Sequence, residues 1–368
     1  MWTRRALRCV AAGAAASALV PSGSATAATI TPIRPGGPAT LGAPLTPFAD
    51  RVLTGSPRAS AARSPLARAA ATRRYRAAEG ISIEVAQSSS FPDTAANRAA
   101  AQSIASFLGT RTHGSELRLL RVFIGTGPEI NSLCGGGRSV LACYERGSRR
   151  MYIPGRDPGR GQYTRDYAIT HELGHHIAGE RRNDPFSAIN FGAKYWSSLE
   201  HVCDHVDDGE LFPGNQGSHY YEDPGEGFAD AYAHLHYPGV GWQYAPILRP
   251  DAAALAAVRR DVVAPWRGSR RRVFTGSLDA ARTFRTFAFP VALDGTLDFR
   301  LSGPRNANFN IRILNNGRIF DRSRAAGSRD RLRATYCRTE GLSVGRAGMS
   351  VARASGAGRF TLTVFYPG

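Results

Sequence analysis

The segment Asp166-Tyr-Ala-Ile-Thr-His-Glu-Leu-Gly-His-His-Ile-Ala178 carries the strongest pattern in this chain. Its aliphatic residues recur every four positions, at Ile169, Leu173 and Ile177. That spacing predicts one helix with a buried apolar stripe. His171 and His175 lie four residues apart and off this stripe, so they share a different face of the helix. Two imidazoles placed in this way can bind one metal ion, and Glu172 lies beside them.

The order His-Glu-x-x-His is typical of zinc metallopeptidases, in which the glutamate activates a water molecule at the metal. Catalytic zinc usually takes three protein ligands, so a third must come from elsewhere in the chain. A longer form of the pattern continues with a glycine and a third histidine. This chain has Ala178 and Arg181 at those two positions, which excludes that form.

A second segment, Asp223-Pro-Gly-Glu-Gly-Phe-Ala-Asp-Ala-Tyr232, predicts a helix that begins at its proline. With both segments the sequence resembles gluzincins, in which a second helix carries Glu-x-Phe-Ala-Asp/Glu. The resemblance implies that Glu226 is the third ligand of one catalytic zinc ion. It also implies that Asp230 accepts a hydrogen bond from the other ring nitrogen of a ligand histidine. Three aspartates remain rival ligands, as in zincins that use an aspartate: Asp207, Asp208 and Asp230.

The resemblance also implies a tyrosine that stabilises the oxyanion of the reaction. Tyr220 and Tyr221 lie just before Glu226, where related enzymes often place such a residue. The expected function is therefore a secreted zinc endopeptidase that acts on polypeptides, with Glu172 as general base. Two alternatives stay open. One is a non-catalytic exported binding protein with a zincin fold, in which Glu172 would have no role. The other is a zinc amidase that acts on cell-wall material.

The N-terminus predicts export. Residues 1–27 read as a signal peptide, because Arg4 and Arg5 precede an alanine-rich apolar stretch and Ala25-Thr-Ala27 fits a cleavage site. No later run approaches the about 20 apolar residues that a spanning helix needs, so no stable membrane anchor is expected. Residues 28–79 are rich in Ala, Pro, Arg and Ser, which predicts a disordered leader or a propeptide.

Cysteine usage agrees with export. Removal of the signal peptide leaves Cys134, Cys143, Cys203 and Cys337. An even number of cysteines in an exported protein favours disulfides. The favoured pairing is Cys134–Cys143, which closes a short glycine loop, with Cys203–Cys337 tying two domains together. A second metal site remains an alternative at Cys203, because His201 and His205 flank it.

The net charge of +18 does not indicate a nucleic-acid partner. Lys194 is the only lysine, and the many arginines accompany an excess of alanine and glycine. No basic motif with interleaved aromatic residues is present, and no known nucleic-acid-binding fold is recognisable. Weak association with an anionic cell wall stays open. The sequence does not fix the oligomeric state, and a monomer is the expectation.

The mature chain divides into two predicted domains. Residues 80–267 mix strand and helix patterns, which predicts an α+β zincin-like catalytic domain. By the same resemblance, Arg149–Ile153 is expected to form the sheet edge that pairs with an extended substrate. Residues 268–368 carry short β-rich runs separated by turn residues, which predicts a small all-β sandwich. This region resembles the pre-peptidase C-terminal domains of secreted bacterial peptidases. The resemblance is carried by the stretch Leu297–Pro304 and the Asn308–Asn310 segment that follows it. Those domains often have aspartates at the two asparagine positions, so calcium binding is not expected.

Overall fold

The computed structural model describes residues 28–33, 51–53, 69–136, 140–159, 161–315, 318–338 and 345–368. The predicted signal peptide, residues 1–27, and much of the predicted leader lie outside these residues. The described chain forms an α/β domain followed by an all-β domain. None of its helices has the length and apolar character needed to cross a membrane.

A six-stranded sheet organises the first domain, in the spatial order β1-β5-β6-β4-β3-β2. Strands β3, β4 and β6 run parallel to one another, whereas β2 and β5 are antiparallel to their inner neighbours β3 and β6. The strands are β1 Val52–Leu53, β2 Ala69–Arg76, β3 Ser82–Ser88, β4 Arg121–Gly125, β5 Cys143–Glu145 and β6 Arg150–Pro154.

Eight helices accompany this sheet in the described residues. They are α1 Ala95–Gly109, α2 Gly127–Leu133, α3 Arg165–Gly179, α4 Ala188–Phe191, α5 Lys194–Leu199, α6 Val202–Asp207, α7 Pro224–His234 and α8 Ala252–Val263. Side-chain oxygens cap the N-termini of α3 and α7. At the start of α3, the Thr164 side chain accepts a hydrogen bond from the backbone N–H of Tyr167. At the start of α7, the Asp223 side chain accepts one from the backbone N–H of Gly225. Such caps satisfy amide groups that have no partner within the helix.

Helices α3 and α7 pack unusually closely because α3 has a glycine at their contact. A Cβ atom added to Gly174 would lie 2.8 Å from Ala229 Cα and 3.0 Å from the Ala229 carbonyl oxygen. Every residue of α7 is buried, so this helix is enclosed by the domain rather than lying on its surface. The close contact brings the histidine face of α3 against the first turn of α7.

Replacing Gly174 with alanine should destabilise the protein by about 1–3 kcal/mol, because the added methyl group meets backbone atoms. Gly179→Ala is the matched control in the same helix, where the added Cβ would lie 3.6 Å from Tyr144, an ordinary contact. That control should be neutral or slightly stabilising through its better helix propensity. Denaturant unfolding of both variants measures the difference, and equal stabilities would contradict this account of the contact.

Three pieces of the segment predicted as a leader, residues 28–79, belong to the folded first domain: residues 28–33, β1 and β2. Ile30 is fully buried, and its backbone N–H donates to Asn97 Oδ1 at 2.8 Å. Strand β2 pairs with β3 along its length. The sequence pattern did not indicate β2, because this strand lacks apolar alternation. Tyr75 is the one residue of β2 that is buried. Backbone hydrogen bonds specify this strand more than burial does. A propeptide role stays a prediction.

Strand β6 is not the sheet edge that the sequence analysis expected of Arg149–Ile153. Its residues Arg150–Pro154 pair with β4 on one side and with β5 on the other. Backbone groups that are committed to two neighbours cannot accept a third strand. The next strand outward, β5, is the one that receives an added segment, β1.

The second domain is a β-sandwich, as predicted. Its two four-stranded sheets have the orders β11-β10-β13-β8 and β12-β9-β14-β7, and every pairing is antiparallel. The strands are β7 Arg270–Leu278, β8 Phe284–Val291, β9 Gly295–Ser302, β10 Asn308–Asn315, β11 Arg318–Arg322, β12 Arg329–Tyr336, β13 Gly345–Ser355 and β14 Gly358–Tyr366. The core between the sheets includes Val291, Phe299, Ile311, Met349 and Leu362.

Lys194 joins the two domains. It is fully buried, and its ammonium donates to the carbonyl oxygens of Asp184 at 2.9 Å and Asp294 at 3.0 Å. The backbone N–H of Asp294 in turn donates to Ser198 Oγ at 2.9 Å. Burial lowers the pKa of Lys194 to about 8. The chain's single lysine is therefore a structural group at the domain junction.

Two disulfides have the pairing that the sequence analysis favoured. They are Cys134–Cys143, with Cα atoms 5.8 Å apart, and Cys203–Cys337, with Cα atoms 5.3 Å apart. The second bond connects α6 of the first domain with the segment that follows β12 of the second. Because its sulfurs are bonded to each other, neither is a thiolate, and thiolate is the form that binds metal. This argues against the second metal site considered around Cys203.

Candidate metal centre

Helix α3 and the first turn of α7 bring three buried metal-binding side chains together. His171 Nε2 lies 3.3 Å from Glu226 Oε2, and His175 Nε2 lies 3.2 Å from the same oxygen. All three residues are fully buried. Their ligand atoms lie within 4.8 Å of one another. Two imidazole nitrogens and one carboxylate oxygen form a donor set that fits a catalytic zinc ion.

The rival aspartates do not join this cluster. Asp207 lies at the end of α6, with Oδ2 3.6 Å from Cys337 Sγ, and Asp208 is the exposed residue that follows it. Asp230 lies one turn after Glu226 on α7 and contacts the other side of His171, with Oδ1 3.3 Å from Nδ1. The structure therefore groups Glu226, and none of the three rival aspartates, with the two Nε2 atoms.

Asp230 orients His171 through a buried hydrogen-bond chain. Its Oδ1 accepts from His171 Nδ1 and from the hydroxyl of Tyr167. Burial and the nearby Asp230 charge raise the pKa of Tyr167 well above its ordinary value, so its hydroxyl stays protonated and donates. With its proton on Nδ1, the imidazole of His171 presents an unprotonated Nε2 towards Glu226 and a metal. The resemblance implied this contact, and the role of Asp230 at a metal stays a prediction.

Gln216 holds the other half of the Glu226 carboxylate. Its Nε2 donates to Glu226 Oε1 at 2.8 Å and to Asp223 Oδ2 at 3.0 Å. Asp223 Oδ1 accepts from the backbone N–H groups of Gly225 and Gly214. Burial and the charge of Glu226 raise the pKa of Asp223 to about 7. The arrangement fixes Oε1 in a hydrogen bond and leaves Oε2 directed at the histidines.

Glu172 lies beside the cluster on α3. It is fully buried, follows His171 directly and precedes His175 by three residues. Residues three apart are neighbours on a helix surface, so Glu172 and His175 lie next to each other. A carboxylate in this position can exchange protons with a water molecule at the cluster.

A tyrosine that the sequence analysis did not select contacts a histidine of the cluster. The ring of Tyr244 stacks on that of His171, with centroids 6.1 Å apart and an interplanar angle of 17°. Its hydroxyl lies 3.1 Å from the hydroxyl of Tyr220. Tyr221 is 38% exposed, whereas Tyr244 is 4% exposed. Of the two predicted tyrosines, Tyr220 is the one whose hydroxyl contacts that of Tyr244, while the ring of Tyr221 lies against Tyr244 with centroids 6.2 Å apart.

Two other histidines have structural partners. His176 Nδ1 lies 3.0 Å from the Tyr144 hydroxyl, and its Nε2 lies 2.9 Å from the Glu116 carbonyl oxygen. Burial lowers the pKa of His176, which favours its neutral form. His234 bridges the carbonyl oxygens of Asp230 and Val240.

No protein-family model and no curated protein matches this chain. Among solved structures, it is similar to the pre-peptidase C-terminal domain of a collagenase from Bacillus anthracis, with 15% sequence identity and a TM-score of 0.22. The match covers 26% of this chain and 88% of that chain. A TM-score this low carries no argument about the fold.

Proposed function

We propose that the first domain is a zincin-like, gluzincin-type zinc endopeptidase. The observation that carries the proposal is the convergence of His171 Nε2 and His175 Nε2 on one oxygen of Glu226, at 3.3 and 3.2 Å. These three side chains would hold the zinc ion. When bound in such a site, zinc lowers the pKa of a water molecule to about 7 and polarises a substrate carbonyl.

The side chains of the domain supply the remaining chemistry. Glu172 accepts a proton from the attacking water on a carboxylate oxygen and later donates it to the leaving nitrogen of the peptide. Asp230 keeps the Nδ1 proton of His171 in place. Gln216 keeps Glu226 oriented through Oε1. The complete burial of these acid and histidine side chains limits bulk water around the transferred proton, which strengthens the electrostatic interactions in the site.

We further propose that the Tyr220–Tyr244 hydroxyl pair, rather than Tyr221, donates a hydrogen bond to the developing oxyanion. Tyr220→Phe and Tyr244→Phe should each lower kcat by about tenfold or more, because loss of one oxyanion donor costs up to about 10²–10³. Tyr221→Phe is the matched control and should stay within about twofold. Steady-state kinetics on an unfolded protein substrate gives the comparison. If neither Tyr220 nor Tyr244 affects kcat, this assignment fails.

The proposal includes export to an oxidising compartment. The signal-like N-terminus supports it, and so do the two disulfides, because disulfides persist mainly outside the cytoplasm. The substrate is proposed to be a polypeptide. Hydrolysis of casein by the zinc-loaded chain, with its dependence on Glu172, tests the function.

A further inference from the structure

Strand β1 adds a short piece of upstream chain to the outer side of β5. Val52 pairs with Tyr144 in a parallel register. The backbone N–H of Tyr144 donates to the Arg51 carbonyl oxygen at 3.1 Å, and that of Arg146 donates to the Leu53 carbonyl oxygen at 3.3 Å. Two carbonyl groups of the added segment are therefore bound along one edge.

The opposite edge of this segment reaches the metal centre. The backbone N–H of Val52 donates to Gln216 Oε1 at 3.1 Å. The same Gln216 side chain donates through Nε2 to Glu226 Oε1 at 2.8 Å. One amide group thus separates the backbone of Val52 from the carboxylate that faces both histidines. Gln216 is half-buried, so its side chain is partly accessible to solvent.

The side chains of the segment also fit formed surfaces. Val52 is 9% exposed and packs in the core cluster that includes the aliphatic residues of α3. Leu53 packs on the other sheet face, against the cluster that contains Cys134 and Cys143. The Arg51 side chain passes directly over Gly135: a Cβ atom added to Gly135 would lie 2.6 Å from Nη1 of Arg51. The segment is held in the manner of a bound extended peptide: backbone bonds on both edges and alternating side-chain contacts.

We infer that β5 and Gln216 form a binding groove for an extended polypeptide and that Arg51–Leu53 fills it, so that the full chain inhibits itself. This inference rests on the proposed function and names the way in which that site holds a peptide. A structural strand of only two residues would contribute little to the sheet. The hydrogen bond to Gln216, in contrast, connects this segment to the cluster itself.

A peptide-binding experiment tests the groove without requiring catalysis. The probe is a fluorescein-labelled peptide with the sequence of residues 49–55, Ala-Asp-Arg-Val-Leu-Thr-Gly. Its binding by fluorescence anisotropy is compared for the zinc-loaded full chain carrying Glu172→Gln and for the same chain with Val52→Pro added. Proline removes the N–H that Gln216 accepts and keeps the flanking carbonyl groups. We expect the probe to bind the Val52→Pro chain at least about tenfold more tightly, because the competing intramolecular segment is weakened.

A second probe with proline in place of the valine is the matched control and should bind about tenfold more weakly than the first, through the loss of one hydrogen bond. Circular dichroism establishes that Val52→Pro is folded. If it is not, Leu53→Asp weakens the same segment through its side chain and replaces it in the assay. Equal binding of the first probe by both chains overturns the inference.

Hydrolysis separates this inference from the proposed function. With Glu172 intact, Val52→Pro should cleave casein several-fold faster than the unaltered chain. Improved probe binding without hydrolysis in either chain would retain the groove and contradict the peptidase. Equal hydrolysis by both chains, with unchanged probe binding, would retain the peptidase and contradict self-inhibition.

Discussion

Glu172→Gln lowers kcat for peptide hydrolysis by about 10²–10⁴-fold, the usual contribution of a general base, while zinc binding persists. Glutamine has nearly the same shape as glutamate, so it fits the fully buried position on α3. Its amide cannot accept the proton of the attacking water. We expect this result from casein hydrolysis at equal protein concentration, with the zinc content of each sample measured by atomic emission. The same comparison is made in chains that also carry Val52→Pro, in which release of the inhibitory segment at β1 should raise the rate of casein hydrolysis.

The control for this prediction is Glu180→Gln. Glu180 follows the last residue of the same helix and pairs with Arg149 at 2.6 Å on the surface. Exposed ion pairs contribute little to stability, so this variant should keep kcat within about twofold. Glu172→Gln with the activity of the unaltered chain would show that Glu172 does not carry the proton.

Glu226→Ala and His175→Ala should each weaken zinc binding by at least about 100-fold, because each removes one of three proposed ligands. Asp230→Asn should have a smaller effect, about 10–100-fold, since Asp230 acts through His171. Competition with a chromophoric chelator measures all three affinities. The account is tested by the order of the losses in zinc affinity: replacing either proposed ligand should weaken binding more than replacing Asp230.

Asp208→Asn provides the control for the zinc series, since Asp208 was a rival ligand in the sequence. It is exposed at the end of α6, apart from the cluster. Its replacement should leave zinc affinity unchanged within about twofold. If Asp208→Asn weakened zinc binding as much as Glu226→Ala, the grouping of Glu226 with the histidines would not describe the metal site.

Local periodicity predicted the elements that carry the cluster. The four-residue recurrence of aliphatic residues is a local property, and α3 spans Arg165–Gly179, one residue more at each end than the predicted segment. The proline after Asp223 likewise marked the start of α7. Short β-rich runs separated by turn residues predicted the sandwich of the second domain. In each case the residues that indicate a helix or strand lie within that element or within a few residues of it.

The remaining features depend on contacts between distant residues. Gln216 lies in the loop between α6 and α7, and Tyr244 follows α7 by ten residues, so no helical or strand spacing connects either one with the cluster. Strand β1 contains two residues, too few to show alternation. The interior position of β6 depends on which strands flank it. Tertiary packing alone brings these residues to the site.

Zinc titration of the metal-free chain tests the central claim most directly. Casein hydrolysis is followed as zinc is added to the unaltered chain, to Glu172→Gln and to Glu226→Ala, each with and without Val52→Pro. The account predicts that activity rises until one zinc ion is bound per chain, that Glu172→Gln binds this ion without activity, and that Glu226→Ala does not retain it. Hydrolysis that is independent of zinc, or one bound zinc ion without hydrolysis in the unaltered and Val52→Pro chains, would contradict the account.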